Sequence, residues 1–131
     1  MTAGLLDTSV LIDWDDPVVT AGLPDESAVC TVTMAELAAG PHLTDDTPER
    51  ARRQARLQQV EALFDPLPLD AASSRSYGQV VAAIVIAGRR PRSRVADLLI
   101  AATAHANRLP LYTRNPDDFA GLEDLIDVVT I

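Results

Sequence analysis

Lysine is absent from this 131-residue chain: its eleven basic residues are all arginine, set against nineteen acidic ones for a net charge of −8. That absence excludes a Walker-type phosphate loop, Schiff-base chemistry and any mechanism built on a catalytic lysine. Cysteine is nearly absent as well. Cys30 alone cannot close an internal disulfide, and within Ala28-Val29-Cys30-Thr31-Val32 it reads as a packed thiol of a reducing compartment. Aromatic residues make up only 4% of the chain, and core roles are expected for Trp14, Tyr112 and Phe119 rather than base stacking. The two histidines offer little for a metal. His105 lies two turns beyond Asp97 on one expected helix, about 12 Å along its axis, and reads as a helix-surface residue. Long apolar runs are missing too: Val80–Ala87 and Leu98–Ala106 are too short to span a bilayer, and Asp7 and Asp13 interrupt the start where a secretory signal would be apolar. A cytoplasmic protein without a membrane partner is expected. The acidic excess also argues against a sequence-independent nucleic-acid binder.

What is present suffices for a real core, with 47% hydrophobic residues in a length that suits one domain over residues 1–131. Short apolar runs at Gly4–Leu6, Ala28–Val32, Leu111–Thr113 and Asp127–Ile131 read as strands, and Pro66–Leu69 is a weaker fifth because of its two prolines. Helical stretches lie between them. Thr8–Trp14 follows the first strand, and Met34–Ala39 stops at Gly40-Pro41. Pro48–Leu63 has Thr47 as its expected cap and an arginine-rich outer face. A further helix runs from an Asp70 cap to Ala87, and Val95–Asn107 is apolar on most sides, hence central. Strand and helix alternate throughout, which predicts an α/β fold: a central, mostly parallel sheet flanked by α-helices. One basic segment, Arg89-Arg90-Pro91-Arg92-Ser93-Arg94, stands apart in composition.

In open α/β sheets the functional crevice lies beyond the carboxyl ends of the strands. Asp7 ends the first strand, Glu36 sits early in the helix after the second, Asp97 opens the alanine-rich helix, and Asp117 and Asp118 follow the Leu111–Thr113 strand. Each acid has a bland explanation: a helix cap for Asp7, a solvated helix residue for Glu36, a dipole partner for Asp97, turn residues for Asp117 and Asp118. Gathered at one sheet edge, however, they would repel and raise one another's pKa unless a cation sat among them. A hard divalent ion such as Mg²⁺ or Mn²⁺ prefers such all-oxygen ligands, and an acidic cluster holding one suits phosphoryl transfer. A haloacid-dehalogenase phosphatase is excluded: it needs an aspartate where Ser9 stands, and a lysine.

Four segments together carry a family resemblance: Leu6-Asp7-Thr8-Ser9-Val10-Leu11-Ile12, Thr33-Met34-Ala35-Glu36-Leu37 with Gly40, Asp97–Ala102 with Thr103-Ala104, and Thr113-Arg114-Asn115 leading to Asp118-Phe119. In order and spacing the chain resembles the PIN-domain ribonucleases, and among them the VapC-type toxins of bacterial toxin–antitoxin pairs. The resemblance implies a PIN fold with Asp7, Glu36 and Asp97 as metal-binding acids. It implies Asp118 as the fourth, with Asp117 and the Asn115 position as alternatives. Thr8 or Ser9 would orient Asp7 or a water at the metal. The implied reaction is Mg²⁺- or Mn²⁺-dependent hydrolysis of an RNA phosphodiester, releasing a 3′-hydroxyl. A VapB-type antitoxin and a homodimer are the implied partners. Arg89, Arg90, Arg92 and Arg94, with Arg114, are candidates for holding RNA phosphates, a solvated loop being the alternative. The competing class is a catalytically inactive PIN-like binding module.

Overall fold

Four short strands, β1 (Ala3–Leu6), β2 (Glu26–Ala28), β3 (Leu111–Thr113) and β4 (Val128–Thr130), form one sheet in a computed structural model describing residues 1–131. Every pairing is parallel and the spatial order is β2-β1-β3-β4. Six helices connect them: α1 (Thr8–Ile12), α2 (Pro17–Gly22), α3 (Thr31–Ala39), α4 (Thr47–Leu63), α5 (Ala71–Ile86) and α6 (Val95–Ala106). Side chains alternate across the central strands, as the two-residue period of a strand requires. Leu5 and Leu111, partners in the ladder, join the core built with Leu98, Ile84 and Phe119; their neighbours Leu6 and Tyr112 join the opposite core, with Val10, Leu11, Val29 and Val60. Helices therefore cover both faces. α6 is the central one, burying Leu98, Ile100, Ala101, Ala102, Thr103 and Ala104.

The expected alternation is present, with instructive shifts in its boundaries. The second strand ends at Ala28, and Thr31-Val32-Thr33 opens α3 instead of prolonging the strand. Leu67 captures the intervening backbone: its N–H donates to the Val29 carbonyl at 2.9 Å, and its carbonyl accepts from the Thr31 N–H at 2.9 Å. This single parallel bridge is all that forms of the Pro66–Leu69 strand, because prolines on either side of Leu67 have no N–H for a ladder. α1 stops at Ile12, and α2, which was not anticipated, starts where Asp16 accepts from the Val18 N–H at 2.9 Å ahead of Pro17. Asp46, rather than Thr47, caps α4. Asp70 caps α5 as expected, accepting from the Ser73 N–H at 2.9 Å.

One glycine is required by packing. A Cβ on Gly4 would stand 2.3 Å from Cε1 of Tyr112, so the tyrosine ring lies directly over the bare backbone of β1. That contact seats the ring at the base of the strand whose end carries Asp7. No helix is long and apolar enough to cross a membrane.

Candidate active site

The parallel topology aligns the carboxyl ends of β1 and β3, and the site begins there. Asp7 continues β1 by donating its N–H to the Tyr112 carbonyl at 2.8 Å. Its carboxylate, although at an N-cap position, makes no capping bond to α1. Oδ2 instead accepts from two hydroxyls, Ser9 Oγ at 2.7 Å and Thr113 Oγ1 at 2.8 Å. Both hydroxyls are held in that role by the backbone. Ser9 Oγ accepts from the Arg114 N–H at 3.1 Å, and Thr113 Oγ1 accepts from the Asn115 N–H at 3.0 Å. Each hydroxyl has one proton, and both protons point at Asp7. Oδ1 has no protein partner and is not sealed from solvent, so this buried aspartate offers one free oxygen.

Glu36, on α3, is anchored in a similar way. Thr8 Oγ1 stands 2.6 Å from Glu36 Oε1 and 3.0 Å from the buried Thr33 Oγ1. A carboxylate only accepts, so the single proton of Thr8 goes to Glu36 and Thr33 donates to Thr8. The Cys30 thiol lies behind, 3.7 Å from Thr33 Oγ1, and burial pushes its pKa up. It is the inert packed thiol expected. Thr8 thus orients Glu36 and not Asp7, whereas Ser9 does orient Asp7.

Asp97 occupies the first turn of α6, where the helix dipole favours a carboxylate. Its proton is nonetheless held up to about pH 6, first by burial and then by the negative charges of Asp7, Asp118 and Glu36, with Arg94 opposing them. The four acids named from the sequence therefore converge on one another. Asp117 is exposed, and its carboxylate has no part in this coupling. The Asn115 side chain, also exposed, makes no hydrogen bond; only its backbone serves the site.

The basic segment divides in two. Arg89 donates to the carbonyls of Asp117 at 2.9 Å and Ala120 at 2.8 Å, gripping the 3₁₀ turn Pro116–Phe119. Arg94 pairs with Asp118 Oδ1 at 3.1 Å. Arg90 and Arg92 are exposed, and their guanidinium groups make no hydrogen bond or ion pair within the chain. Arg114 turns away to bridge Asp13 at 3.1 Å and Asp16 at 2.9 Å. His105 rests with Nδ1 3.0 Å from Ser76 Oγ, away from the acids.

Two features went unread in the sequence. Thr113 lies in the Thr113-Arg114-Asn115 segment, where nothing local gives it a role, since its target lies 106 residues away. A groove of about 640 Å³ also opens beside Thr8 and Glu36, walled by Arg52, Arg53 and Arg56 of α4. Those arginines were visible only as the polar face of a helix.

The donor set is entirely oxygen, four carboxylates against one nearby guanidinium, and this chemistry fits a hard divalent cation. The acids face one another without closing into a ready ligand shell. Asp118 is drawn to Arg94, Glu36 to Thr8, and Asp7 is tied at Oδ2.

A parallel α/β sheet binds its ligands beyond the carboxyl ends of its strands, and the acids gathered there place the chain among α/β proteins suited to divalent-cation phosphoryl chemistry. Residues 4–125 match the PIN domain family, and the chain belongs to it. It is 38% identical to Ribonuclease VapC5 of Mycobacterium tuberculosis (strain ATCC 25618 / H37Rv), over 98% of this chain and 94% of that protein. Ribonuclease VapC4 of the same strain is 35% identical over 97% of this chain and 95% of its own length. Among solved structures, that of VapBC-5 from M. tuberculosis, a member of the VapBC family of toxin-antitoxin systems, superposes with a TM-score of 0.84. It is 38% identical and covers 100% of this chain and 98% of its own.

Proposed function

We propose that this protein is a Mg²⁺- or Mn²⁺-dependent endoribonuclease, the toxin of a VapBC-type toxin–antitoxin pair, acting in the cytoplasm. The observation that carries the reading is the convergence of Asp7, Glu36 and Asp118 on Asp97, in a chain 38% identical to a ribonuclease over nearly its whole length. Asp7 through its free Oδ1, Glu36, Asp97 and Asp118 would hold the cation. When bound, the cation lowers the proton affinity of water and offsets charge on the phosphate. Ser9 and Thr113 fix the angle of Asp7, and Thr8 leaves Oε2 of Glu36 free of protein donors. Water attacks phosphorus in line, a site carboxylate takes its proton, and the bond to the 3′-oxygen breaks as that oxygen takes up a proton from solvent, leaving a 3′-hydroxyl and a 5′-phosphate.

Arg90 and Arg92, the loop arginines without a partner, are the residues assigned to RNA phosphates. Arg89, Arg94 and Arg114 are already engaged within the chain and take a lesser share. A VapB-type antitoxin would lay a peptide segment along the groove between α1, α3 and α4, beside Glu36. Exposed Val85, Ile86 and Val95, at the end of α5 and the start of α6, suit coverage by a second copy of the chain in a homodimer.

The test is cleavage of labelled RNAs with Mg²⁺ or Mn²⁺ by wild type, Asp7→Ala and Asp97→Asn. Loss of cleavage in both variants, with the fold intact, is expected. Equal cleavage by all three would trace the activity to a contaminant and overturn the reading. A folded wild type that cleaves no RNA while binding an antitoxin would leave the inactive binding module.

A further inference from the structure

Within the acidic site one cation is already present, and it belongs to the chain. Arg94, the residue before α6, opposes the negative field at Asp97, and its guanidinium donates to Asp118 Oδ1 at 3.1 Å. The pair is partly shielded, with 29% of the Arg94 side chain and 38% of that of Asp118 exposed. The geometry around it is deliberate. Arg89, five residues earlier, clamps the backbone of the Pro116–Phe119 turn through two carbonyls, so the turn that carries Asp118 is held against the segment that carries Arg94. One Asp118 oxygen is thus engaged by Arg94, in a site whose carboxylates do not close into a ligand shell.

We propose that Arg94 is a built-in competitor for the divalent cation: it neutralises Asp118 while the site is metal-free and must yield that carboxylate before the ion is fully held. The inference rests on the metal-nuclease reading and adds a control on it. Two consequences follow from charge alone. An arginine beside a divalent ion repels it, and an arginine on Asp118 occupies a ligand; both lower metal affinity. Removing Arg94 would then tighten metal binding. A role confined to positioning Asp118 predicts the opposite sign, because a ligand left unplaced weakens the site.

The experiment is calorimetric titration of the full chain with Mn²⁺ alone, for wild type, Arg94→Gln, Arg94→Lys, Asp7→Asn and a remote charge control, Arg75→Gln. Partly exposed ion pairs of this kind couple by a factor of about 1.4 to 5, so Arg94→Gln is expected to bind Mn²⁺ about two- to fivefold more tightly than wild type. Arg94→Lys, which keeps the charge, is expected within about twofold of wild type, as is Arg75→Gln, whose charge lies far from the site. Thermal melts in chelator confirm that each variant is folded, and the Mn²⁺-induced rise in Tm is expected to be larger for Arg94→Gln. Unchanged or weaker Mn²⁺ binding by Arg94→Gln, with wild type and Arg94→Lys binding normally, would overturn the competitor role and leave the metal reading standing. Absence of Mn²⁺ binding in folded wild type, indistinguishable from Asp7→Asn, would overturn both.

Discussion

Asp97→Asn is expected to stabilise the metal-free protein while removing its response to metal. Folding places this carboxyl where its proton is held up to about 6, against 3.8 for an ordinary aspartate. A proton held more tightly in the folded chain stabilises the fold at low pH. That contribution is complete below about pH 3.8 and is lost as pH rises through about 6. The interval corresponds to a ceiling of about 3 kcal/mol, which solvent screening at this half-buried position reduces to about 1–2 kcal/mol. Asparagine removes the repulsion but forfeits the favourable meeting of a carboxylate with the α6 dipole, about 0.3–1 kcal/mol. The net gain near pH 8 is about 1 kcal/mol, a rise in Tm of about 3–5 °C for a chain of this size. Thermal unfolding in chelator at about pH 5 and about pH 8 measures it. The variant should lie above wild type at the higher pH and by about half as much or less at the lower, and added Mn²⁺ should raise only the wild type appreciably. An equal loss of Tm at both pH values would refute the reasoning, showing that Asp97 acts as a hydrogen-bonding or capping residue rather than as a repelled charge.

Thr113→Val keeps the shape but removes the hydroxyl between the Asn115 N–H and Asp7 Oδ2; a loss of about 1–3 kcal/mol in stability and about 10- to 100-fold in metal affinity is expected, read by denaturant titration and Mn²⁺ calorimetry. Thr8→Val removes the hydroxyl that orients Glu36 and should weaken Mn²⁺ binding by about 10-fold or more while lowering RNA cleavage; calorimetry beside cleavage kinetics reads both. Gly4→Ala forces the Tyr112 ring to move and should cost about 1–3 kcal/mol, seen as a lower urea midpoint. Arg108 has φ 56° just past the end of α6, the left-handed region where glycine is at ease, so Arg108→Gly should raise stability by about 0.5–1 kcal/mol in the same measurement.

The acids were legible because each sits at a junction that local pattern marks: Asp7 after an apolar strand, Asp97 three residues after a basic loop, Asp118 before a buried phenylalanine. Ser9 was legible too, two residues from its target. The rest was not. Thr8 lies next to Asp7 in sequence, yet its hydroxyl serves Glu36, because α1 turns it toward α3 and leaves Asp7 to Ser9 and Thr113. α2 was hidden behind a run of aspartates that reads equally well as a turn. The second strand was misplaced because Val29-Cys30-Thr31-Val32 has the β-branched composition of a strand, and only the approach of Leu67 reveals where the helix takes over. The loop arginines looked alike in sequence; their carbonyl and carboxylate partners, 24 to 31 residues on, separate Arg89 and Arg94 from Arg90 and Arg92.

By itself the sequence determined the lysine-free chemistry, the alternation of strand and helix, and Asp7, Glu36 and Asp97 at the ends of those elements, with Asp117 and Asp118 as alternatives for a fourth acid. Periodicity, capping and residue type are local properties, so they can be read without coordinates. The tertiary structure decided which oxygen of Asp7 stays free, that Asp118 and not Asp117 faces Asp97, and that Arg94 is already paired with Asp118. Those outcomes depend on the right side chains meeting from positions up to 106 residues apart in the chain. Distances after folding, not spacing along the chain, set their electrostatics.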